Sequence, residues 1–406
     1  MTEQTLNHES NASHHILGKP LQLPCGVTLK NRLAKSAMSD SLGDGAGDST
    51  QAQARLYERW AEGGAALSLI GEVQVSPHFP EKPGNLVLTE NSDQQALQSL
   101  ARYGTINSSQ LWPQLGHAGA LAHGPISQPK GPSALNLEGL QCSGMSVAEV
   151  EALPTMYAKA ASITKDAGFS GVQIHAGHGF LFSQFLSPLF NHREDYYGGS
   201  VAARCQIILE TIAAVRQSVG SSFPIGIKIN STDKLEGGLS EEEALEVVRL
   251  LDQTSVDLID ISGGTYFPGA KSSSDSTSND GPYFLSFAKR AKAITDIPLM
   301  LTGGFARREQ AIDAVLSGAA DVVSLGRAMA LNPQLAHTWL SEAGGNPEFP
   351  VFNAPPKGSV TAWYTMLLTA LAEDRETSFG LDPQTALEVY EQRDAERCSK
   401  WIQRFS

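Results

Sequence analysis

His175 and His178 stand three positions apart, directly after the short β-branched run Val172-Gln173-Ile174. Two imidazoles at the C-terminal end of a buried strand can donate hydrogen bonds to one ligand oxygen and stabilise charge developing on it. Three readings compete for the pair: ligand binding, a metal site, and histidines satisfied within the core. No HExxH motif and no carboxylate in register accompany them, which counts against a metal.

Two phosphate-type signals stand near the end of the repeating β/α pattern. Leu301-Thr302-Gly303-Gly304 and Leu325-Gly326-Arg327 each follow an apolar run. A phosphate between two such loops would meet bare backbone N–H groups, a helix start and a guanidinium; two ordinary tight turns are the plain alternative. With a phosphate site in the same chain, paired histidines favour a ligand role. Polar residues also fall in or after other apolar runs: Ser39, Gln114 and Lys228. A lysine inside Ile-Gly-Ile-Lys-Ile-Asn is costly to bury without an anionic or electron-rich partner. A salt bridge to Asp260 or Asp257 and a ligand contact satisfy it equally well.

The elements that must position these residues alternate. Short β-rich runs near Leu33–Met38, Ala65–Gly71, Gln110–Leu115, Gly171–His175, Pro224–Asn230, Leu258–Ser262, Leu299–Thr302 and Asp321–Leu325 are each followed by a helical pattern. Eight β/α repeats, with no GxGxxG after the first strand, predict an α/β fold of the closed (β/α)8 TIM barrel kind rather than a doubly wound sheet. Ser240-Glu241-Glu242-Glu243 reads as a capping box opening a helix whose Ala244, Val247, Val248 and Leu251 share one face. Ser146–Lys165 also reads as a helix, but Pro154 inside it removes a backbone donor and predicts a kink, or a break with the main helix starting at Pro154.

Residues 1–20 read as a flexible N-terminal segment, 21–345 as the barrel, and 346–406 as an appended helical tail with helices over Trp363–Asp374 and Pro383–Arg404. Two segments lack regular signal, Gly116–Gly144 and the Ser-rich Lys271–Gly281. Both follow strands and so project from the face where barrel active sites sit, the second as a lid or as surface disorder.

Composition bounds the function. The chain has 406 residues, 41% hydrophobic and 18% charged, with a formal net charge of -13. No basic stripe appears, which argues against nucleic acid as a partner, and no apolar run is long enough to span a membrane. Without a signal-peptide pattern, a cytoplasmic protein is expected. The four cysteines are scattered, without a C-x-x-C pair, so free thiols are expected rather than structural zinc or an iron–sulfur cluster.

Several runs together resemble a known family. Lys30-Asn31-Arg32, Gln114-Leu115-Gly116-His117-Ala118-Gly119, Ile174-His175-Ala176-Gly177-His178-Gly179, Ser187-Pro188 with Asn191-His192-Arg193, Asp195-Tyr196-Tyr197-Gly198-Gly199-Ser200 and Ser262-Gly263-Gly264 resemble the Old Yellow Enzyme family of FMN-dependent NAD(P)H oxidoreductases. Gln110-Leu111-Trp112 and Pro83-Gly84-Asn85 resemble its bacterial NADH:flavin oxidoreductase branch. The resemblance covers about Leu21 to Pro333. It implies a barrel binding FMN non-covalently and reduced by NADH or NADPH. Ser36, Ala37, Met38 and Ser39 would line the flavin, Gln114 its pyrimidine edge and Lys228 its N1 and C2 carbonyl. Gly303, Gly304, Gly326 and Arg327 would hold the phosphate. Glu72 falls where the family usually presents a small or uncharged group against the flavin.

The implied reaction is hydride transfer from NAD(P)H to the flavin, then to an electron-poor alkene whose carbonyl oxygen His175 and His178 hold. The family usually supplies the accompanying proton from a tyrosine two residues after the second histidine. Here that residue is Phe180, which cannot donate. Tyr266 and, less directly, Tyr283 are substitutes by loop position, with Tyr266 and Phe180 both counted as substrate-facing. Two other classes remain open: a flavin-binding sensor or an oxidation needing no acid, and a flavin-free barrel isomerase or lyase. The partners expected are a small-molecule substrate and a possible homo-oligomer.

Overall fold

The computed structural model describes residues 16–270, 281–341 and 344–406. Eight parallel strands close a barrel in strict sequence order. Counting only these, they are β1 Leu33–Lys35, β2 Leu67–Gln74, β3 Gln110–Gly116, β4 Val172–Ala176, β5 Ile225–Asn230, β6 Leu258–Ser262, β7 Leu299–Thr302 and β8 Val322–Leu325. The ring closes where Val323 and Ser324 of β8 register with Leu33 and Ala34 of β1. All eight sequence-predicted runs are therefore barrel strands.

Alternation along each strand explains what fills the barrel. Side chains two residues apart share a face. Ala34, Leu67, Leu69, Trp112, Leu258, Met300 and Val322, drawn from six strands, form one buried apolar cluster. Two residues further along each of five chains stand Ser36, Gln114, Asp260, Thr302 and Ser324. The interior thus changes from an apolar plug to a polar floor toward the C-terminal ends, the end that carries barrel active sites. Gly171, at the foot of β4, is where a Cβ would lie 2.5 Å from the Trp112 ring, so the bulky plug residue requires glycine there.

The outer ring is α1 Gln51–Glu62, α2 Gln94–Gly104, α3 Val147–Asp166, α4 Leu181–Leu186, α5 Val201–Val219, α6 Glu241–Asp252, α7 Leu285–Lys292, α8 Arg308–Leu316, α9 Arg327–Leu331 and α10 Leu335–Leu340. Ser240 and Glu243 form the expected capping box on α6. Pro154 does not break α3. Its helix runs unbroken from a Ser146–Glu149 capping box, and Val150, Leu153, Tyr157, Ala160, Ala161 and Thr164 are buried on both sides of the proline. Packing of that face holds the two halves together at the cost of one backbone hydrogen bond.

The segment 116–144, poor in signal by sequence, contains a three-stranded sheet of Lys130–Gly131, Leu135–Leu137 and Leu140–Gly144. Beyond the barrel, α11 Ser359–Ala372 and α12 Pro383–Phe405 complete the described chain. The α12 helix is tied to the loops after β1 and β2: Arg397 donates to the Ser41 carbonyl (2.7 Å), Trp401 to the Pro77 carbonyl (3.0 Å), and Lys82 pairs with Asp394 (3.3 Å). At the other end, Leu17 is fully buried, while residues 1–15 of the N-terminal segment lie outside the described residues. So do residues 271–280 of the Ser-rich segment read as a lid. Among the described residues no helix is long and apolar enough to cross a membrane, and all four cysteines are free.

Candidate active site

Strand register brings the polar residues to one level. Lys228 on β5 is in register with His175 on β4 and Asp260 on β6. Its ammonium lies 3.0 Å from Asp260 Oδ2, both side chains sealed from solvent. Of the two carboxylates open to Lys228 by sequence, Asp260 takes it, while Asp257 pairs with Arg216. Asp260 also accepts from Thr302 Oγ1 (2.6 Å) and Gln173 Nε2 (3.1 Å), and Gln173 in turn accepts from Gln114 Nε2 (2.6 Å). The costly lysine is thus the centre of a buried network reaching across five strands. Sequence reading passed over Gln173; its place two residues before His175, on the same inward face, is the signal that would have found it.

His175 ends its strand with one ring nitrogen spoken for. Nδ1 accepts from the Gly177 N–H (3.2 Å), so the ring proton belongs on Nε2, which is buried and has no hydrogen-bond partner. Burial, reinforced by the Lys228 charge, pushes the His175 pKa down to about 3, so the ring is neutral near pH 7. His178 adopts a left-handed backbone (φ 59°) that turns the chain out of the strand, and its N–H donates to Asn230 Oδ1 (2.9 Å). Its Nε2 lies 2.8 Å from Ser262 Oγ, and burial also holds its pKa well below the usual histidine range. The two rings meet edge to face, 5.3 Å between centroids.

Phe180, 2% exposed, lies 5.1 Å from the His175 ring, and Tyr266 covers it from the mouth at 5.8 Å. Tyr266 is also 5.9 Å from His178 and is 64% exposed. Tyr283 is not part of this cluster; its ring packs beside Gly303.

Glu72 enters the same space. The register of β2 against β3 shifts between Ile70 and Val73, and Glu72 inside that bulge has φ 58°. A non-glycine residue in the left-handed region costs about 1 kcal/mol or more, so other contacts must hold it there. One is visible at Gly71, where a Cβ would lie 2.4 Å from the Met38 carbonyl oxygen, so β2 passes too close to the β1 loop for any side chain. Glu72 Oε1 stands 3.4 Å from His175 Nε2. Burial raises the Glu72 pKa to about 8 against the opposing pull of Lys228. With His175 neutral as well, this is a contact between two uncharged groups, not an ion pair.

Ser36 is buried, with its N–H on the Leu325 carbonyl (3.0 Å); Ala37, Met38 and Ser39 are half-buried at the end of β1. Ser39 Oγ donates to Glu81 Oε2 (3.2 Å), a residue the sequence gave no reason to single out. Burial and the neighbouring Glu72 carboxyl raise the Glu81 pKa to about 7. On the opposite side Gly303 and Gly304 both have positive φ, and a Cβ on Gly304 would lie 2.2 Å from the Gly281 carbonyl oxygen. Gly326 caps α9, and the Arg327 guanidinium lies 6.0 Å from the Tyr364 ring centroid.

A model of the NADH:flavin oxidoreductase / NADH oxidase family matches residues 17–342. The NADH-dependent flavin oxidoreductase iliE of Hypocrea jecorina (strain QM6a) is 35% identical over 352 residues, covering 79% of this chain and 87% of that one. Among solved structures, a 2-naphthoyl-CoA reductase complex superposes with a TM-score of 0.75 at 25% identity, over 80% of this chain and 52% of the other. The Old Yellow Enzyme homologue from Zymomonas mobilis superposes at 0.71 with 22% identity, over 86% and 98%. The first strands, the histidine turn and both glycine loops all fall inside the matched span. The chain shares its fold with the Old Yellow Enzyme homologue, and it is a member of the NADH:flavin oxidoreductase / NADH oxidase family, an FMN-dependent oxidoreductase reduced by NAD(P)H.

Proposed function

We propose that the protein reduces a carbon–carbon double bond conjugated to a carbonyl, holding the carbonyl oxygen between His175 and His178. The observation that carries this reading is the His175 Nε2–H, a buried donor with no protein acceptor at the C-terminal mouth of the barrel. A buried unpaired donor is costly unless a ligand completes it. His178 Nε2 lies 2.8 Å from Ser262 Oγ; in the tautomer that accepts from that hydroxyl, the second ring carries its proton on Nδ1 and offers a second donor. Both rings stay neutral near pH 7, so they polarise the carbonyl and stabilise charge on its oxygen without giving up a proton.

The residues present fit FMN. Lys228 offers a buried cation, Gln114 a buried amide, and the inward Ser324 hydroxyl on β8 has no partner. Ser36 to Ser39 would line the ring system, and Gly303, Gly304, Gly326 and Arg327 would hold the phosphate. FMN, once reduced by NAD(P)H, supplies the hydride. Asp260 balances the Lys228 charge in its absence, so the site is prepared for an anion without being strained by a bare cation.

A titration with a phenol, a stand-in for an enolate oxygen, tests this. A long-wavelength charge-transfer band is expected in the flavoprotein and should weaken in His175→Ala. An unchanged band would remove the oxygen-holding role. Phe180 has no proton to give, and Tyr266, 5.9 Å from the His178 ring, stands exposed at the mouth.

A further inference from the structure

We propose that Glu72 is the acid of this site: its carboxyl, protonated in the resting enzyme, donates to the same oxygen that His175 holds and gives it the proton that Phe180 cannot supply. This rests on the reading above that the histidines bind a carbonyl oxygen.

The placement comes from geometry. Glu72 Oε1 lies 3.4 Å from His175 Nε2, beyond a good hydrogen bond and close enough that one small acceptor can touch both. The bulge in β2 is what brings the carboxyl there. Had the strand kept its register, alternation would have placed position 72 elsewhere, and the left-handed backbone at Glu72 is the strained residue of that turn. Gly116 borders the space it enters, where a Cβ would be in ordinary contact, 3.6 Å from Glu72 Oε2. A strained backbone that delivers a buried acid to an unpaired donor is poorly explained by stability alone.

Burial keeps Glu72 neutral, against the pull of one nearby charge. Lys228, on β5, pulls the Glu72 pKa down, but Asp260 already pairs with it. His175 on β4 is uncharged. Glu81, on the loop after β2, repels a second negative charge, and Asp394 on α12 acts on Glu81 in the same sense. Tyr157 on α3 and Tyr266 after β6 are neutral phenols within its electrostatic reach. Desolvation outweighs the Lys228 pull, and the Glu72 pKa stands at about 8. A carboxylic acid kept neutral to donate a hydrogen bond to an oxyanion is a known electrostatic device.

The chemistry balances. As the β-carbon gains hydride, the alkene electron pair shifts toward the carbonyl, whose oxygen takes the Glu72 proton to give an enol. Glu72 is left as a carboxylate and recovers its proton from solvent. The enol then gains a proton at the α-carbon from water and loses the one on oxygen, completing the addition of hydride and one proton.

The test reads binding rather than turnover. Pentafluorophenol, ionised throughout the range, is titrated into the oxidised flavoprotein from about pH 6 to about pH 10, following the charge-transfer band. In the wild type the affinity should be flat at low pH and fall about tenfold per pH unit above about 8, because ionised Glu72 must regain a proton before an anion can bind. In Glu72→Gln, or Glu72→Ala if the first variant does not retain flavin, the affinity should be flat throughout. Glu81→Gln should keep the slope. A wild-type affinity without the slope, a slope that survives in Glu72→Gln, or one lost in Glu81→Gln instead would overturn the assignment. A band that is missing, or that His175→Ala leaves unchanged, would overturn the histidine reading itself, which separates the two failures.

Discussion

Lys228 Nζ and Asp260 Oδ2 face each other at 3.0 Å between adjacent strands, with no solvent at either. Desolvation of both groups offsets most of their attraction, so the pair is better understood as a prepared charge than as a source of stability. Removing one partner alone should cost about 3–5 kcal/mol. Asp260→Asn and Lys228→Met are each expected to lose stability on that scale in urea denaturation of the FMN-free protein. The double replacement Lys228→Met/Asp260→Leu should recover much of it while failing to retain FMN. Additive losses in the double variant would show that the pair is not acting as a unit.

Glu72 gives a stability signature of its own. Its folded-state pKa is raised from the ordinary carboxyl value of 4.5 to about 8, so the unfolded chain releases this proton first. Stability is complete below about pH 4.5 and falls as pH rises toward 8. Glu72→Gln removes that loss. The variant should therefore gain on the wild type in thermal denaturation at pH 8, by on the order of a few kcal/mol, and gain little at pH 5. Equal differences at the two pH values would mean that Glu72 is ionised in the folded protein.

The histidines act at the other end of the scale. His175 and His117 are held down to about 3 and His123 to about 4, all by burial first. A depressed folded-state pKa gives stability that is present above the unfolded value of 6.5 and lost as pH falls through the folded one. Acid unfolding should therefore begin below about pH 6.5, and His117→Gln should blunt it in a pH series of denaturant midpoints. A midpoint flat from pH 7 to about pH 4 would show these rings to be more accessible than their burial indicates.

Phe180→Tyr separates the sources of the proton. General acid catalysis contributes ~10²–10⁴-fold when it is wholly missing. Because Glu72 already supplies it in this account, adding the tyrosine to the wild type should raise the enone-dependent rate by less than about tenfold. In a Glu72→Gln background the same change should restore ~10²-fold or more. The larger gain in the wild type would indicate that no acid operates there.

The glycine loops make a simpler demand. Gly304 combines φ 82° with a Cβ position 2.2 Å from the Gly281 carbonyl oxygen. Gly304→Ala must move one of the two loops. Purified variant should carry less than stoichiometric FMN, read from the ratio of flavin to protein absorbance; full occupancy would detach this loop from the phosphate.

How much of this could be read beforehand depends on the scale of the signal. The eight strands were legible because β-branched apolar runs recur with helical patterns between them, and Lys228 was conspicuous as a charge inside such a run. Its choice of Asp260 over Asp257 was not, since that depends on which carboxylate shares its register. Pro154 was misleading because a local rule yielded to a buried face spanning it. The sheet within residues 130–144 is short and largely exposed, so alternation leaves little trace. Glu72 stands out of place in the sequence pattern, but its reach to His175 follows from a bulge beside the close approach of Gly71 to Met38, a contact between distant segments. Glu81 carried no signal at all, sitting in a turn between prolines.

The oxygen-holding pair is tested most directly in the half-reaction that uses it. The flavoprotein is reduced anaerobically with NADH and mixed with 2-cyclohexen-1-one, and reoxidation is followed by flavin absorbance in the wild type and in His175→Ala/His178→Ala. The account predicts enone-dependent reoxidation in the wild type, slower by ~10²-fold or more in the double variant, with reduction by NADH retained. Reoxidation at the same rate in both proteins would contradict it.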